Sequence, residues 1–202
     1  IGRKVGMTQV FDERGVLTPV TVIKIEDNQV VDDRSEEKNG YNAVVLGAVD
    51  EKATRVTKPY AGQFGNLTPK KHLVEIRDFE SEYEVGKNIG AELLKDVNFV
   101  DIQGTSKGKG YQGVMKRHGF TGGRKTHGSK FKRGLGATGM AADPSKVHKG
   151  TKMPGRMGGE KKTVQNLRLV RVDEEKQFIL VKGAVPGPRK GIVLVTKAKK
   201  KN

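Results

Sequence analysis

The apolar positions of this chain fall into short runs separated by polar turns, a pattern typical of β-strands. Phe178–Val185 is the most apolar run and predicts a central strand, and a further short strand is expected to begin over Gln29–Asp32. The other runs that predict strands are Val16–Ile25, Tyr41–Val49, His72–Phe79, Val97–Gln103, Val164–Val172 and Ile192–Thr196. Seven or more short strands with little helix predict a mainly β fold with minor α content, closed into a barrel.

Helical signals are confined to one region of the chain. Lys58–Phe64, followed by Gly65-Asn66, predicts a short helix, and Ala91–Leu94 predicts a single helical turn. Residues 53–95 are therefore interpreted as a small α/β lobe inserted in the β body. We predict a β-barrel body over residues 1–104 and 158–202, and a long extended basic loop over residues 105–157.

The stretch Thr105–Thr163 interrupts the alternation of strands and turns. It carries 15 Lys and Arg against two acidic residues, a net charge of +13 in a chain whose total is +16. It also holds 14 glycines and only three Val, Leu or Ile residues. Such a composition cannot bury a core of its own, so something else must hold this stretch in place. Its charge indicates a polyanion.

Other features of the composition exclude several functional classes. The chain has no cysteine, which excludes disulfides, thiolate metal sites and cysteine nucleophiles. No run of about 18 apolar residues occurs, so no membrane span is predicted. The N-terminal IGRKVGMTQVF has neither an initiator Met nor the apolar core of a signal peptide, and we expect the chain to begin a few residues into the gene product.

A nucleotide-binding loop is the first alternative for the basic stretch. Gly108–Gly113 matches the dinucleotide pattern GxGxxG and follows a predicted strand. However, Lys132 and Arg133 stand about 20 residues further on, where the dinucleotide fold needs an acidic group for the ribose. The pattern therefore does not predict a nucleotide site.

Metal binding and acid–base catalysis are disfavoured by the spacing of their candidate residues. Asp143 and Glu160 are 17 residues apart and each is surrounded by cations, which disfavours a catalytic carboxylate pair. Three histidines lie in the stretch at separations of nine and 21 residues, which fit no compact zinc motif: His118, His127 and His148. No catalytic residue and no metal ligand is predicted.

RNA binding is the function that the basic stretch favours. The stretch is internal, and its cations are interleaved with glycines and with Tyr111, Phe120 and Phe131. Lys and Arg bind phosphates, aromatic rings stack on unpaired bases, and glycines let the backbone approach a surface closely. We expect the stretch to be disordered in the free chain and ordered on RNA. The predicted RNA-binding residues are Lys107, Lys109, Lys116, Arg117, His118, Arg124, Lys125, His127, Lys130, Lys132, Arg133, Lys146, His148, Lys149, Lys152, Arg156, Lys161 and Lys162.

The length of the stretch suits penetration of a folded RNA. If His118–Arg156 runs out and back, its turn lies about 60 Å from the body at roughly 3.3 Å per residue. The small, neutral residues Leu135–Ala142 would form this turn, at a place where phosphates are sparse and bases come close.

Five segments carry a resemblance to a known family. They read GRKVGMTQVFDE (Gly2–Glu13), GTSKGKGYQGVMKRHGF (Gly104–Phe120), THGSK (Thr126–Lys130), KGTKMPGRMGGEKKTVQNL (Lys149–Leu167) and LVKGAVPGP (Leu180–Pro188). In these segments, and in their order, the chain resembles bacterial-type ribosomal protein L3 of the large subunit. The resemblance spans essentially the full chain.

The resemblance implies a translation-protein-type β-barrel that binds 23S rRNA, supports early assembly of the large subunit and contacts neighbouring ribosomal proteins. It implies that the long loop reaches toward the peptidyl transferase centre, where the RNA is the catalyst, with its tip at Gly136, Thr138, Gly139 and Met140. The protein would then be a cytoplasmic structural component and not an enzyme. No cofactor, small-molecule substrate, membrane or second copy is expected as a partner, and structural Mg ions would belong to the rRNA.

The loop departs from the family pattern at its tip. Many relatives have a methylatable glutamine in a tip motif that reads SIGQ, whereas Ala137-Thr138-Gly139-Met140 places a methionine there. The following Ala141–Ser145 is less basic than usual for the family, and Arg124-Lys125 replaces a more usual Gly-Pro-like stretch. These departures leave RNA binding in place and concern contacts at the tip.

Two functions of other classes remain as alternatives. A free-standing RNA-binding assembly or translation factor would show the same charge pattern, and sedimentation with the large subunit through a high-salt wash discriminates between the two. An RNA-modifying enzyme would need a cofactor fold or a convergent acid–base set, and the sequence offers neither.

Overall fold

The computed structural model describes residues 1–77, 79 and 83–201 and confirms a mainly β chain with few helices. The strands are β1 (Gly2–Phe11), β2 (Leu17–Ile25), β3 (Asn28–Arg34), β4 (Ala43–Asp50), β5 (Lys70–Arg77), β6 (Asn88–Ile89), β7 (Phe99–Thr105), β8 (Tyr111–Gln112), β9 (Gly155–Arg156), β10 (Lys161–Asp173), β11 (Phe178–Lys182) and β12 (Ile192–Lys197). The α-helices are α1 (Glu36–Asn39), α2 (Lys58–Ala61) and α3 (Val114–His118), and single 3₁₀ turns cover Ala53–Arg55, Gly62–Phe64 and Ala91–Leu94.

Six of the strands hydrogen-bond into a closed barrel in the order β1-β12-β7-β10-β11-β2. The alternation along β11 shows how the sequence specifies it: Ile179 and Val181 are fully buried, whereas Lys182 is exposed. Each fully buried Val or Ile side chain contributes about 1.5–3 kcal/mol, so the interior of the ring is a substantial core. Its buried members are Ile23, Ile25, Ala91, Val100, Ile102, Ile179, Val181, Val185 and Val193.

Asp101 is a buried acid of this unit that links three parts of the chain. One carboxylate oxygen accepts the backbone N–H of Asn166 in β10 at 2.8 Å, and the other accepts that of Lys199 at 3.5 Å. Asn166 adopts a positive φ of 56°, a backbone conformation that this hydrogen bond helps to fix. The carboxylate thus fixes β10 and the C-terminal residues to β7.

A second sheet has the strand order β5-β4-β3-β6 and a core that includes Val30, Val44 and Leu46. Two of its strands, β5 and β6, lie within residues 53–95, and the other two precede them. The lobe predicted over residues 53–95 therefore stays a prediction. On β5, burial and then the positive charges of Lys71 and Arg3 lower the pKa of His72.

Most predicted elements have a counterpart in the structure, with differences at their ends. The run Phe178–Val185 forms β11, which stops at Lys182 because Gly183 takes a φ of 99°, outside the extended region. The end of the predicted strand His72–Phe79 includes residue 78, which lies outside the described residues. The strand β1 and the five-residue helix α3 were not predicted.

The chain divides into two compact units, one made of residues 1–105 and 162–202 and the other of residues 106–161. The first unit contains the barrel and the second sheet. The second unit, here called the basic unit, connects β7 to β10 and corresponds closely to the basic stretch of the sequence. The sequence had predicted its limits at residues 105 and 157.

Candidate nucleic-acid interface

The two ends of the basic unit are joined by backbone hydrogen bonds. The N–H of Lys109 donates to the carbonyl of Met157 at 2.9 Å, and the N–H of Met157 donates to Gly110 at 3.0 Å. The N–H of Ser106 likewise donates to the carbonyl of Glu160 at 2.9 Å. The pairing continues into β8 and β9, which are antiparallel. The basic unit therefore starts from a closed two-stranded base.

Glycine makes this base possible at one position in particular. Gly158 has a φ of +73°, and a Cβ atom there would lie 2.1 Å from the carbonyl oxygen of Lys107. No other residue fits a backbone that approaches another backbone so closely. The neighbouring Gly159 has a similar φ of +68° but nothing within 4 Å of an added Cβ.

The short helix α3 anchors the two arms that leave the base. Val114 is its buried residue, and Gly119 ends it in the left-handed conformation with a φ of 75°. Nη1 of Arg117 donates to the carbonyl oxygen of Met153 at 2.8 Å, and Nε2 of His118 lies 3.0 Å from the same oxygen. A Cβ on Gly155 would lie 2.6 Å from Nη1 of Arg117, so this glycine makes room for the guanidinium.

A tight bend follows α3 and packs against the backbone near Phe131. The N–H of Gly123 donates to the carbonyl of Lys132 at 3.2 Å. A Cβ on Gly122 would lie 2.6 Å from that carbonyl oxygen, and a Cβ on Gly123 would lie 1.9 Å from the carbonyl oxygen of Phe131. Gly122 and Gly123 therefore allow two backbone segments of the basic unit to pack closely. Some of the glycines in this stretch serve this packing, in addition to any contact with a ligand.

The predicted tip residues are exposed. Gly136, Thr138, Gly139 and Met140 all face solvent, and 82% of the surface of Met140 is accessible. The segment that follows contains a cis peptide bond before Pro144. Near the tip, the structure thus presents a flexible apolar side chain on a backbone rich in small residues.

The predicted RNA-binding side chains are displayed toward solvent. Of the 18, only Arg117 and His118 are half-buried, and the other 16 are exposed. The basic unit contains 14 Lys and Arg and only Asp143 and Glu160 as acids, a net charge of +12. All of the 18 except Lys162 belong to the basic unit, so the structure brings these cations together on one unit, while their binding of RNA stays a prediction.

Aromatic and positioning residues complete the surface. Tyr111 and Phe131 expose 71% and 47% of their surfaces, so part of each ring is open for stacking, and the ring of Phe131 also packs against Gly123 and Gly134. Both aromatic residues were noted in the sequence, but neither was among the predicted site residues. Met153 and Gly158 were missed, because a backbone acceptor and a close approach between backbones leave no signal in a charge pattern.

Other site types find no support in the part of the chain that the structure describes. Within residues 1–77, 79 and 83–201, no group of three or more His, Cys, Asp or Glu side chains is arranged to hold a metal ion. No helix in the same residues has the length and apolar character needed to cross a membrane.

Comparison with known proteins identifies the family. Residues 71–177 match the family model described as ribosomal protein L3. The chain is 53% identical to the large ribosomal subunit protein uL3 of Borrelia hermsii over 99% of this chain and 97% of that protein. The proteins of the same name from Borrelia turicatae and Borrelia duttonii are 52% and 51% identical with the same coverage. With its full-length similarity, its β body and its single basic unit, the chain belongs to the ribosomal protein L3 family.

Proposed function

We propose that the chain is a structural constituent of the large ribosomal subunit, and that its basic unit binds 23S rRNA. The barrel is then of the translation-protein type that the resemblance implies, and it carries the long loop and the small lobe predicted over residues 53–95. The protein supports early assembly and organises RNA near the peptidyl transferase centre through the tip of the loop. Neighbouring subunit proteins are its other partners, and it performs no chemistry of its own.

One observation carries this proposal. Sixteen of the predicted RNA-binding side chains are exposed, and the basic unit offers them only two acidic neighbours, Asp143 and Glu160. Cations in such excess over acids repel one another, so such a unit is stabilised by a polyanion. Each phosphate that a Lys or Arg neutralises releases counterions from the RNA, which supplies the free energy of binding.

The glycine-rich framework explains how the cations reach phosphates. The base and α3 hold the two arms of the basic unit, and the close packing around Phe131 fixes a bend between them. Exposed lysines such as Lys130 and Lys149 then reach phosphates, while Tyr111 and Phe131 offer rings to unpaired bases. Recognition of this kind reads RNA shape more than sequence.

The tip supports a role in RNA organisation without chemistry. Met140 offers a polarisable apolar contact of high exposure and no titratable group. Small residues on either side let RNA backbones or bases approach. A tip of this kind positions RNA, and catalysis remains with the RNA.

The test is a comparison of two matched lysine sets in binding to 23S rRNA. The loop set changes four exposed lysines to alanine, and the control set changes four exposed lysines of the first unit. The loop set is Lys130, Lys132, Lys146 and Lys149. The control set is Lys38, Lys52, Lys58 and Lys71.

We expect the loop set to reduce the slope of log K against log salt by about three units, at roughly 0.7–0.9 per lost phosphate contact. The control set removes the same charge from the chain but should leave the slope within about one unit of the unchanged protein. Equal effects of the two sets would refute the assignment of RNA binding to the basic unit.

A translation or assembly factor is the alternative function, and sedimentation separates the two. A subunit protein remains with large subunits through a high-salt wash, whereas a factor held by surface electrostatics dissociates. Full-length relatives that are named large-subunit proteins favour the first outcome.

A further inference from the structure

The β1–β2 hairpin carries an apolar face that RNA binding does not explain. Its register pairs Phe11 with Leu17 and Gln9 with Pro19. Residues opposite each other in an antiparallel pair share a face, and alternate residues return to it. Met7, Gln9, Phe11, Leu17 and Pro19 therefore form one surface, here called the hairpin face.

The hairpin face is open to solvent. Met7, Phe11 and Leu17 expose 50%, 66% and 44% of their surfaces, and Gln9 and Pro19 are also exposed. Several large apolar side chains that are exposed together mark an interaction surface more often than single exposed ones do. On the opposite face, Val10 and Thr18 are half-buried and Val20 is fully buried, whereas the hairpin face is buried only at its far end, where Thr21 pairs with Met7.

The hairpin also presents an open backbone edge along β1. In the described strands, β12 pairs with β1 only at Gly2 and Arg3. The N–H of Asp12 donates to Val16 across the hairpin. Hydrogen-bonded and non-hydrogen-bonded pairs alternate along an antiparallel pair of strands. The N–H and C=O groups of Met7, Gln9 and Phe11 therefore point away from β2. Unpaired groups of this kind bind a strand or loop of another protein.

Charge decides which class of macromolecule fits this surface. From Gly6 to Ile23, the charged residues are Asp12, Glu13 and Arg14, a net charge of −1 in a chain whose total is +16. An RNA phosphate backbone needs cations, of which this segment has only Arg14. A protein surface needs apolar contact and peptide groups, both of which the hairpin offers.

We propose that the hairpin face docks on a neighbouring protein of the large subunit. The partner presents an apolar surface to Phe11 and Leu17, with Lys or Arg beside it to meet the exposed Glu13. A strand or loop of the partner bonds to the open edge of β1. This inference rests on the proposed function, because the partner is another protein of the same particle.

Site-specific photocrosslinking in purified, salt-washed large subunits tests the proposal. The photoreactive residue p-benzoylphenylalanine replaces Phe11 in one full-length chain. In the matched control, it replaces Thr8, which is exposed on the opposite face of the same strand. Both positions are exposed, so neither change removes a buried contact, and thermal unfolding of the free chains checks this.

The expected result is a crosslink from position 11 to one subunit protein, at a peptide with apolar residues next to Lys or Arg. We expect its yield to exceed that from position 8 by about tenfold, as for a residue at the centre of an interface. Adding Leu17→Ser to the position-11 chain should lower the yield.

Three results would overturn the inference: a crosslink from position 11 to rRNA, equal yields from both positions, or no crosslink from subunits that contain the chain. If the chain is absent from salt-washed subunits, the proposed function fails and this inference fails with it. The amount of chain in the particle therefore distinguishes the two failures.

Discussion

Replacing Gly158 by alanine tests whether the closed base of the basic unit depends on the contact between Gly158 and Lys107. The new Cβ would lie 2.1 Å from the carbonyl oxygen of Lys107, well inside the van der Waals contact distance. One of the two backbones must therefore move by on the order of 1 Å. Gly159→Ala is the matched control, because it has the same left-handed φ and open space around the added methyl.

The two substitutions differ in their expected cost. A non-glycine residue in the left-handed region costs about 1 kcal/mol, which is the whole cost for Gly159→Ala. For Gly158→Ala, the steric conflict adds about 2 kcal/mol, as in overpacked sites, giving about 3 kcal/mol in total. Since 1.4 kcal/mol is a factor of ten, local opening of the base should rise about fivefold in the control and about 100-fold in Gly158→Ala.

Amide hydrogen exchange of the full-length chain measures this opening directly, with the base closed as in the structure. The disorder that the sequence predicts for the free stretch would instead leave the amides of the base unprotected in every variant. The reporters are the N–H groups of Lys109 and Met157, each bonded across the base. We expect their exchange to be at least about tenfold faster in Gly158→Ala than in Gly159→Ala, while amides of the barrel strand β11 exchange at unchanged rates. Equal exchange in the two variants would refute the argument that this close approach requires glycine.

Three further substitutions test other parts of the structure. Asp101→Ala removes the acceptor of the part-buried N–H of Asn166, so urea denaturation should show a loss of about 1 kcal/mol or somewhat more. Burial is the main cause of the lowered pKa of His72, so the neutral side chain is favoured in the folded state. Its contribution to stability is complete above about pH 6.5, the unfolded pKa, and is lost as the pH falls toward the pKa of the folded state. His72→Gln should therefore flatten the dependence of stability on pH in this window. Arg117→Met removes the hydrogen bond to the carbonyl of Met153, which contributes about 1 kcal/mol. Proteinase K should then cleave residues 119–153 of the free chain roughly fivefold faster. The control Lys116→Met should leave the cleavage rate unchanged.

The strands predicted from the sequence are those with an apolar sequence rich in Val and Ile. Phe178–Lys182 is apolar and β-branched, and it forms a central part of the barrel as expected. β1 was not predicted, because Gly2, Arg3 and Gly6 dilute its apolar pattern. In the structure it pairs with the adjacent strand β2 in a hairpin that runs from Phe11 opposite Leu17 back to Gly2 opposite Ile25. The pairing with β2 therefore supplied what the local pattern of β1 did not.

The candidate site divides in the same way. Exposure of the cations followed from composition, because charged Lys and Arg side chains in large excess over acids stay in water. The framework did not follow from composition. Arg117 finds its acceptor at a backbone carbonyl of Met153, 36 positions away in the chain, and Gly158 is required by a backbone atom of Lys107. Such contacts are set by the folded geometry, and charge and glycine counts contain no information on them.

Deletion of the arms of the basic unit tests the central claim most directly. Because the side chains of Arg117 and His118 both reach the carbonyl of Met153, a short Gly-Ser linker can join Gly119 to Met153 and replace residues 120–152. This removes eight Lys and Arg of the basic unit and keeps β8, α3 and β9. The measurement is the fraction of shortened chain in salt-washed large subunits, beside the full-length chain, with far-UV circular dichroism melts to show that the barrel folds. We predict a folded chain that is absent from the washed subunits, whereas incorporation equal to that of the full-length chain would contradict the claim that the basic unit holds this protein on rRNA.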